Sequence, residues 1–245
     1  AGSHRKNMMR SVEDSLRRLD TEFLDLFWVH AWDHLTPTDE VLRGLDDLIR
    51  SGKVLYIGVS DTPAWVVSQA NTMAELRGWT AFAGLQIEYS LLQRSPERDL
   101  LPMAKAFGMA VTPWGAMAGG ALTGKYLKGE AGRIVAQSAR RNDRANKIAA
   151  KVVKVAEKLG VSPAQVAINW VRQRDAELNC IPLIGARTAA QLENSLGCLN
   201  FVLPEKYILE LDAASEIQLG FPHEFLSSDN VRELIYGGKY GDISR

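Results

Sequence analysis

A basic residue placed where a strand turns into a helix marks a candidate phosphate site, and this chain has one. The apolar run Asn179 to Ile184 leads into Gly185-Ala186-Arg187-Thr188, then into a helical stretch carrying Gln191 and Asn194. Free N–H groups and the dipole at a helix start attract anions. Arg187 adds a planar fork of donors matched to phosphate oxygens. Gly185 leaves room for close backbone approach. Gln191 lies one helical turn beyond Arg187 and faces the same way. The same pattern fits a solvated surface arginine, so its weight comes from residues upstream. There, His30, Ser60 with Asp61 beside it, Gln86 and Trp114 all close strand-like runs. A histidine titrates near neutral pH and suits proton handling. Ser60 and Gln86 offer hydroxyl and amide groups, and Trp114 a flat face for stacking. Each has a plain structural alternative: a core histidine bonded to a carbonyl, strand-end capping by Ser60 and Gln86, helix capping by Asp61, core filling by Trp114.

The elements that must position these groups alternate along the chain. Strands are expected over Phe23–His30, Val54–Ser60, Phe82–Tyr89, Ala110–Trp114 and Asn179–Ile184. Helices are expected over Arg5–Leu19, Asp39–Ser51 with Thr38 as N-cap, Pro63–Arg77, Glu97–Phe107, Arg144–Leu159, Ser162–Asp175, Thr188–Leu199 and Pro204–Ile217. Caps and prolines set most of these starts. A glycine-rich turn falls at Gly119-Gly120, followed by a polar stretch from Lys128 to Asp143 that reads as a mobile, charge-exposing loop. The glycine-rich tail from Gln218 predicts one short helix near Asn230–Leu234. No linker or low-complexity tract divides residues 1–245, which read as a single domain.

Composition bounds the function. With 46% apolar and 24% charged residues and a formal net charge of zero, the chain is an ordinary globular one. Nothing in that charge balance suggests a nucleic-acid partner or an anionic membrane surface. No run reaches the length of a membrane span, and the first residues lack the apolar core of a signal peptide. Two cysteines, Cys180 and Cys198, make no disulfide framework. The expectation is a cytoplasmic protein, monomer or homo-oligomer, without a metal site.

Repeated βα units imply parallel strands covered by helices. An open doubly wound sheet and a (β/α)8 barrel compete. No Gly-x-Gly-x-x-Gly follows the first strand, which removes the usual dinucleotide fingerprint of the open fold. A barrel gathers its active site at strand C-termini, where the polar residues sit. Five strand-like runs are present, and the count falls short at the N-terminal end.

Five ordered segments carry a resemblance. They are Arg10-Ser-Val-Glu through Leu19 into Asp25-Leu-Phe-Trp-Val-His30-Ala-Trp-Asp33; Gly52-Lys-Val to Gly58-Val-Ser60; Gln86-Ile-Glu-Tyr-Ser90; Pro113-Trp114-Gly-Ala-Met-Ala-Gly-Gly120 to Gly124-Lys-Tyr126; and Ile181-Pro-x-Ile-Gly185-Ala-Arg187-Thr188-x-x-Gln191. Together the chain resembles the aldo/keto reductases, nicotinamide-dependent (β/α)8-barrel oxidoreductases, in the bacterial branch similar to potassium-channel beta subunits. The resemblance implies NADPH-dependent reduction of small aldehydes and ketones, with NADP(H) as cofactor. His30 would orient the substrate carbonyl. Ser60, Asp61 and Gln86 would hold the nicotinamide carboxamide, and Trp114 would stack on the ring. Gly115, Met117, Gly119 and Lys125 would clasp the pyrophosphate. Gly185, Arg187, Gln191 and Asn194 would bind the adenosine phosphate end.

Two departures qualify it. Relatives often carry an acid and an Asn three and four positions after the Gln; here Asn194 and Ser195 stand there. The family's catalytic Tyr, in Asp-x-Ala-x-x-Tyr-Gly, and its Lys match nothing in these residues. The expectation is a barrel supplied here by about five C-terminal βα units, lacking its N-terminal third, with the catalytic Tyr outside the chain. The alternative is a catalytically silent nicotinamide-binding module with a redox-sensing or regulatory role.

Overall fold

The computed structural model describes residues 2–130, 134–135, 138–174 and 178–243. Parts of the expected polar loop (131–133, 136–137) and the expected helix end at Asp175 lie outside the described residues. Four strands, β1 (Leu24–Val29), β2 (Val54–Ser60), β3 (Gly84–Glu88) and β4 (Ala110–Trp114), form one parallel sheet in chain order. Between and around them run α1 (Arg5–Leu19), α2 (Thr38–Arg50), α3 (Ala64–Arg77) and α4 (Leu100–Ala106). Parallel neighbours need crossovers, and helices supply them. The apolar stripes of these helices bury Val12, Leu42, Leu45, Leu48, Val67 and Ala104 against Ile57, Val59, Leu85 and Val111. Alternation along the strands sends these residues to the helix side.

The opposite sheet face carries Trp28, Gly58, Ser60, Gly84, Gln86, Glu88, Thr112 and Trp114, matched by register. Trp28 lies across β2 and β3, where a Cβ on Gly58 would overlap its ring. Glycine is required there by close approach. At the open end of this face Tyr56 is 61% and Leu26 42% exposed.

The fifth expected strand is only partly a strand. Cys180 bridges Val111 in parallel, and Val111 donates to Asn179 while Ile181 and Leu183 donate to β4 carbonyls at 2.8 Å. The segment runs beside β4, but Pro113 has no N–H to continue the ladder, and Pro182 has none either. Other boundaries shift for local reasons. β1 ends at Val29, leaving His30 just beyond it. β3 begins at Gly84 rather than Phe82. Thr38 is the first residue of α2 and caps nothing; Pro37 occupies the cap position. Pro96 sets a 3-10 turn over Ser95–Glu97, and Asp99 caps a shorter α4.

The second half is helical: α5 (Asp143–Leu159), α6 (Pro163–Arg172), α7 (Ala189–Leu196) and α8 (Glu205–Ala214). The tail forms two short helices where one was expected, α9 (His223–Ser227) and α10 (Asp229–Tyr236). Buried polar groups tie this half to the sheet. The Arg94 guanidinium donates to Glu97, to the Asp212 carbonyl and to Ser215 Oγ at 2.8–2.9 Å. Arg174 grips both Asp212 oxygens at 2.7 Å and donates to Tyr89 Oη at 2.9 Å. Tyr89 in turn donates to Glu97 at 2.6 Å. Burial pushes the Tyr89 hydroxyl far above its usual range, against the pull of Arg174. Cys180 and Cys198 form no disulfide among the described residues. No helix among the described residues is long and apolar enough to cross a membrane.

Candidate active site

Beyond β4 the chain turns through Gly115 and a 3-10 segment, Ala118–Thr123, in which Gly119 and Gly120 take φ of 67° and 95°. Such angles favour glycine. This turn, the segment after Leu183 and the start of α7 enclose a cleft of about 990 Å³. Nine of the residues singled out from the sequence line it: Trp114, Gly115, Met117, Gly119, Lys125, Gly185, Arg187, Gln191 and Asn194. They come from two stretches of chain some sixty residues apart, joined where β4 meets the Cys180 segment.

The cleft walls are well supported. Thr188 Oγ1 caps α7 by accepting from Gln191 N at 3.2 Å, and Gln191 Oε1 accepts from Arg187 N at 3.0 Å. Gln191 does face Arg187, and part of its bonding capacity is spent holding the turn. α6 begins with a capping box: Ser162 and Gln165 bond each other's backbone N–H at 3.3 and 3.1 Å. The spare amide of Gln165 donates to Asn194 O at 2.7 Å. That bond fixes the α7 end of the cleft, and Gly197 is small because Gln165 fills the space a side chain would need.

Ser60, Asp61, Gln86 and His30 do not line this cleft; Ser60 and Gln86 lie on the sheet face that carries Trp114, and Asp61 and His30 follow the ends of β2 and β1. Ser60 pairs with Gln86 in register, and Gln86 with Thr112, two residues below Trp114. Ser60 is 1% exposed, and its Oγ is the one buried side-chain polar atom among the described residues without a partner. An unmet buried hydroxyl costs about 1–3 kcal/mol unless something bonds it. Strand-end capping therefore does not account for Ser60. Asp61 sits in the left-handed region at φ 44°, its N–H donating to Gln86 O at 3.3 Å. Pro63 holds the cap position of α3 with no side-chain cap bond, so Asp61 is not a helix cap. His30 is exposed, outside any core. Trp32, beyond the end of β1, packs on His34 at 4.1 Å and edge-on to Trp65 at 5.6 Å between ring centroids.

Arg140 and Ser138 also line the cleft, and sequence reasoning missed both inside the expected charge-exposing loop. Arg140 is paired with Glu88 of β3. Neighbouring parts of the stretch are anchored too: Tyr126 Oη accepts from Ile134 N at 2.9 Å, and Arg141 lies 4.7 Å over the Tyr126 ring. Ala164 and Ser195 complete the far wall.

The aldo/keto reductase family profile matches residues 1–216. The chain belongs to the aldo/keto reductase family. Its fold is therefore that of a (β/α)8 barrel, and the four-stranded parallel sheet forms part of such a wall. Among curated proteins, it is similar to a probable aryl-alcohol dehydrogenase of Saccharomyces cerevisiae, 39% identical over 235 residues, covering 93% of this chain and 71% of that protein. It is also similar to an aryl-alcohol dehydrogenase [NADP(+)] of Phanerodontia chrysosporium, 37% identical over 96% of this chain and 63% of that protein. A norsolorinic acid reductase of Aspergillus flavus is 35% identical over 92% of this chain and 57% of its own length. This family member thus spans between 57% and 71% of the length of these three relatives.

Proposed function

We propose that the protein works in NADPH-dependent reduction of aldehydes and ketones to alcohols, with aromatic carbonyl compounds as its substrate class. The observation that carries the reading is the convergence of nine cofactor-type residues on one cleft. The names of the relatives, an NADP(+) aryl-alcohol dehydrogenase and a reductase, support the cofactor and the reaction. The residues present suit the cofactor. Arg187 and Gln191 would hold the 2′-phosphate end, and Lys125 with the Gly119-Gly120 turn would face the pyrophosphate. Trp114 offers its ring face to the nicotinamide. The buried, unpartnered Ser60 Oγ and Gln86 beside it are suited to the carboxamide. When bound, NADPH supplies the hydride. His30, exposed past β1, would orient the carbonyl oxygen at the open end of the same face. No Tyr of this chain matches the family's Asp-x-Ala-x-x-Tyr-Gly motif, and this reading assigns the proton donor to none of the described residues.

Within the family, we keep the reading of a branch similar to the potassium-channel beta subunits, on the strength of the segments Gln86–Ser90 and Trp114–Tyr126. The neutral charge balance supports a small-molecule substrate and no nucleic-acid partner, and two cysteines without a disulfide framework support a reducing, cytoplasmic setting. The test is turnover of NADPH with an aromatic aldehyde, followed by nicotinamide absorbance. NADPH-dependent consumption of the aldehyde, reduced by His30→Ala, is expected. Tight NADPH binding with no turnover of any aldehyde would sink the reductase reading.

A further inference from the structure

The pair between Glu88 and Arg140 joins residues 52 positions apart, and Arg140 lines the cleft. Glu88 is in register with Trp114, and its Cγ lies 3.5 Å from the point where a side chain on Gly115 would begin. The other end of the pair reaches the glycine turn. Arg140 Nη1 is 3.5 Å from the Cβ position of Gly119, and Lys125 Nζ is 3.1 Å from that of Gly120. Two cations thus stand over two consecutive left-handed glycines, in a cleft that Arg187 also lines.

We propose that Arg140 is a diphosphate-binding residue beside Lys125, and that Glu88 is its resident counter-ion, exchanged for the ligand's anion on binding. The inference rests on the dinucleotide reading above. The backbone of Arg140 is held without Glu88. Its N–H donates to Ser138 Oγ at 3.3 Å, Arg141 N donates to Ser138 O at 2.8 Å, and Asn142 Nδ2 donates to Ala139 O at 2.8 Å. Asn142 Oδ1 also caps α5 by accepting from Ala145 N at 2.8 Å. Only the Arg140 side chain has to turn. The two side chains are 35% and 23% exposed, wet enough for the pair to part at modest cost. A diphosphate offers more charge and a bidentate match to the guanidinium. The pair keeps Arg140 ordered in the cleft before binding and lowers affinity by the work of breaking it.

A diphosphate is common to NADPH and NADH, whereas the 2′-phosphate belongs to NADPH alone, so the two dinucleotides separate the roles. Calorimetric titrations of the wild type, Arg140→Ala, Arg140→Lys, Glu88→Gln and the Glu88→Gln/Arg140→Ala double variant would use NADPH, NADH and inorganic pyrophosphate. Removing the guanidinium should weaken both dinucleotides and pyrophosphate by the same factor, about tenfold. The lysine variant, which keeps the charge without the fork, should fall between. Removing the Glu88 charge should tighten all three about threefold, and the gain should vanish when Arg140 is also gone. Wild-type binding that none of the variants changes would overturn the inference and leave the function standing. Weakening of NADPH alone would overturn it too, moving Arg140 to the 2′-phosphate. A wild type that binds neither dinucleotide would defeat the functional reading itself, and this inference with it.

Discussion

On the proposed reading, cofactor choice turns on Arg187. Its replacement by alanine is expected to cost affinity for NADPH and hardly any for NADH. The side chain is exposed at the cleft mouth, while the turn carrying it is held by the backbone bond to Gln191 Oε1 and by the Thr188 cap. Truncation should therefore leave the turn in place. A charge-assisted, forked contact to phosphate is worth about 1.5–3 kcal/mol. Exposure and salt screening cut this to about 1–2 kcal/mol. The expected loss is thus about five- to thirtyfold in Kd for NADPH. NADH, lacking the 2′-phosphate, should shift less than about twofold by the same accounting. Arg187→Lys should recover part of the loss, and raising ionic strength should narrow the gap between variant and wild type. Isothermal titration with both dinucleotides measures it directly. The thermal midpoint should stay put, since truncating an exposed side chain leaves the backbone bond of Arg187 and the Thr188 cap in place and moves stability by under about 0.5 kcal/mol. Equal weakening of NADPH and NADH would refute the assignment, because Arg187 would then be reading a group the two share.

Three stability predictions concern the frame around the site. Tyr89→Phe should destabilise by about 1–2 kcal/mol in urea unfolding, because the hydroxyl between Glu97 and Arg174 is lost while their bonds to Arg94 and Asp212 remain; no change would mean that the network does not depend on Tyr89. Gly58→Ala should cost about 1–3 kcal/mol by overpacking against Trp28, and Trp28→Leu should restore most of it; an additive double variant would argue against the clash. Hydrogen bonds from Ser3 N, then the Thr36 hydroxyl and backbone and Leu35 N, hold the Asp33 carboxyl well below the usual range. A depressed pKa contributes stability above the unfolded value and loses it as pH falls toward the folded one. The thermal midpoints of wild type and Asp33→Asn should differ at neutral pH and converge below about pH 4. A gap that widens in acid would refute this.

The elements with strong local signals could be read from the residues alone. α1 runs over Arg5–Leu19 and β4 over Ala110–Trp114 as expected, because a 3.6-residue apolar period and a short β-branched run each specify themselves. Trp114, Gly185, Arg187, Gln191 and Asn194 were identifiable because an aromatic strand end, a glycine turn and an arginine at a helix start have recognisable chemistry, whereas Gly115, Met117, Gly119 and Lys125 stood out only through the family resemblance. The prolines at 113 and 182 were equally visible, yet their effect depended on which N–H the neighbouring chain required. Long-range pairings left no local trace. Arg140 sits in a polar stretch that reads as solvated, and only packing brings it to Glu88, 52 residues away. Arg94 reaches Ser215 across 121 residues, and Gln165 becomes a support of the cleft through a carbonyl on another helix. Which strand end faces which loop is set by the sum of many burial terms over the whole sheet. For that reason the individual groups were legible in the chain, and their partners only in the fold.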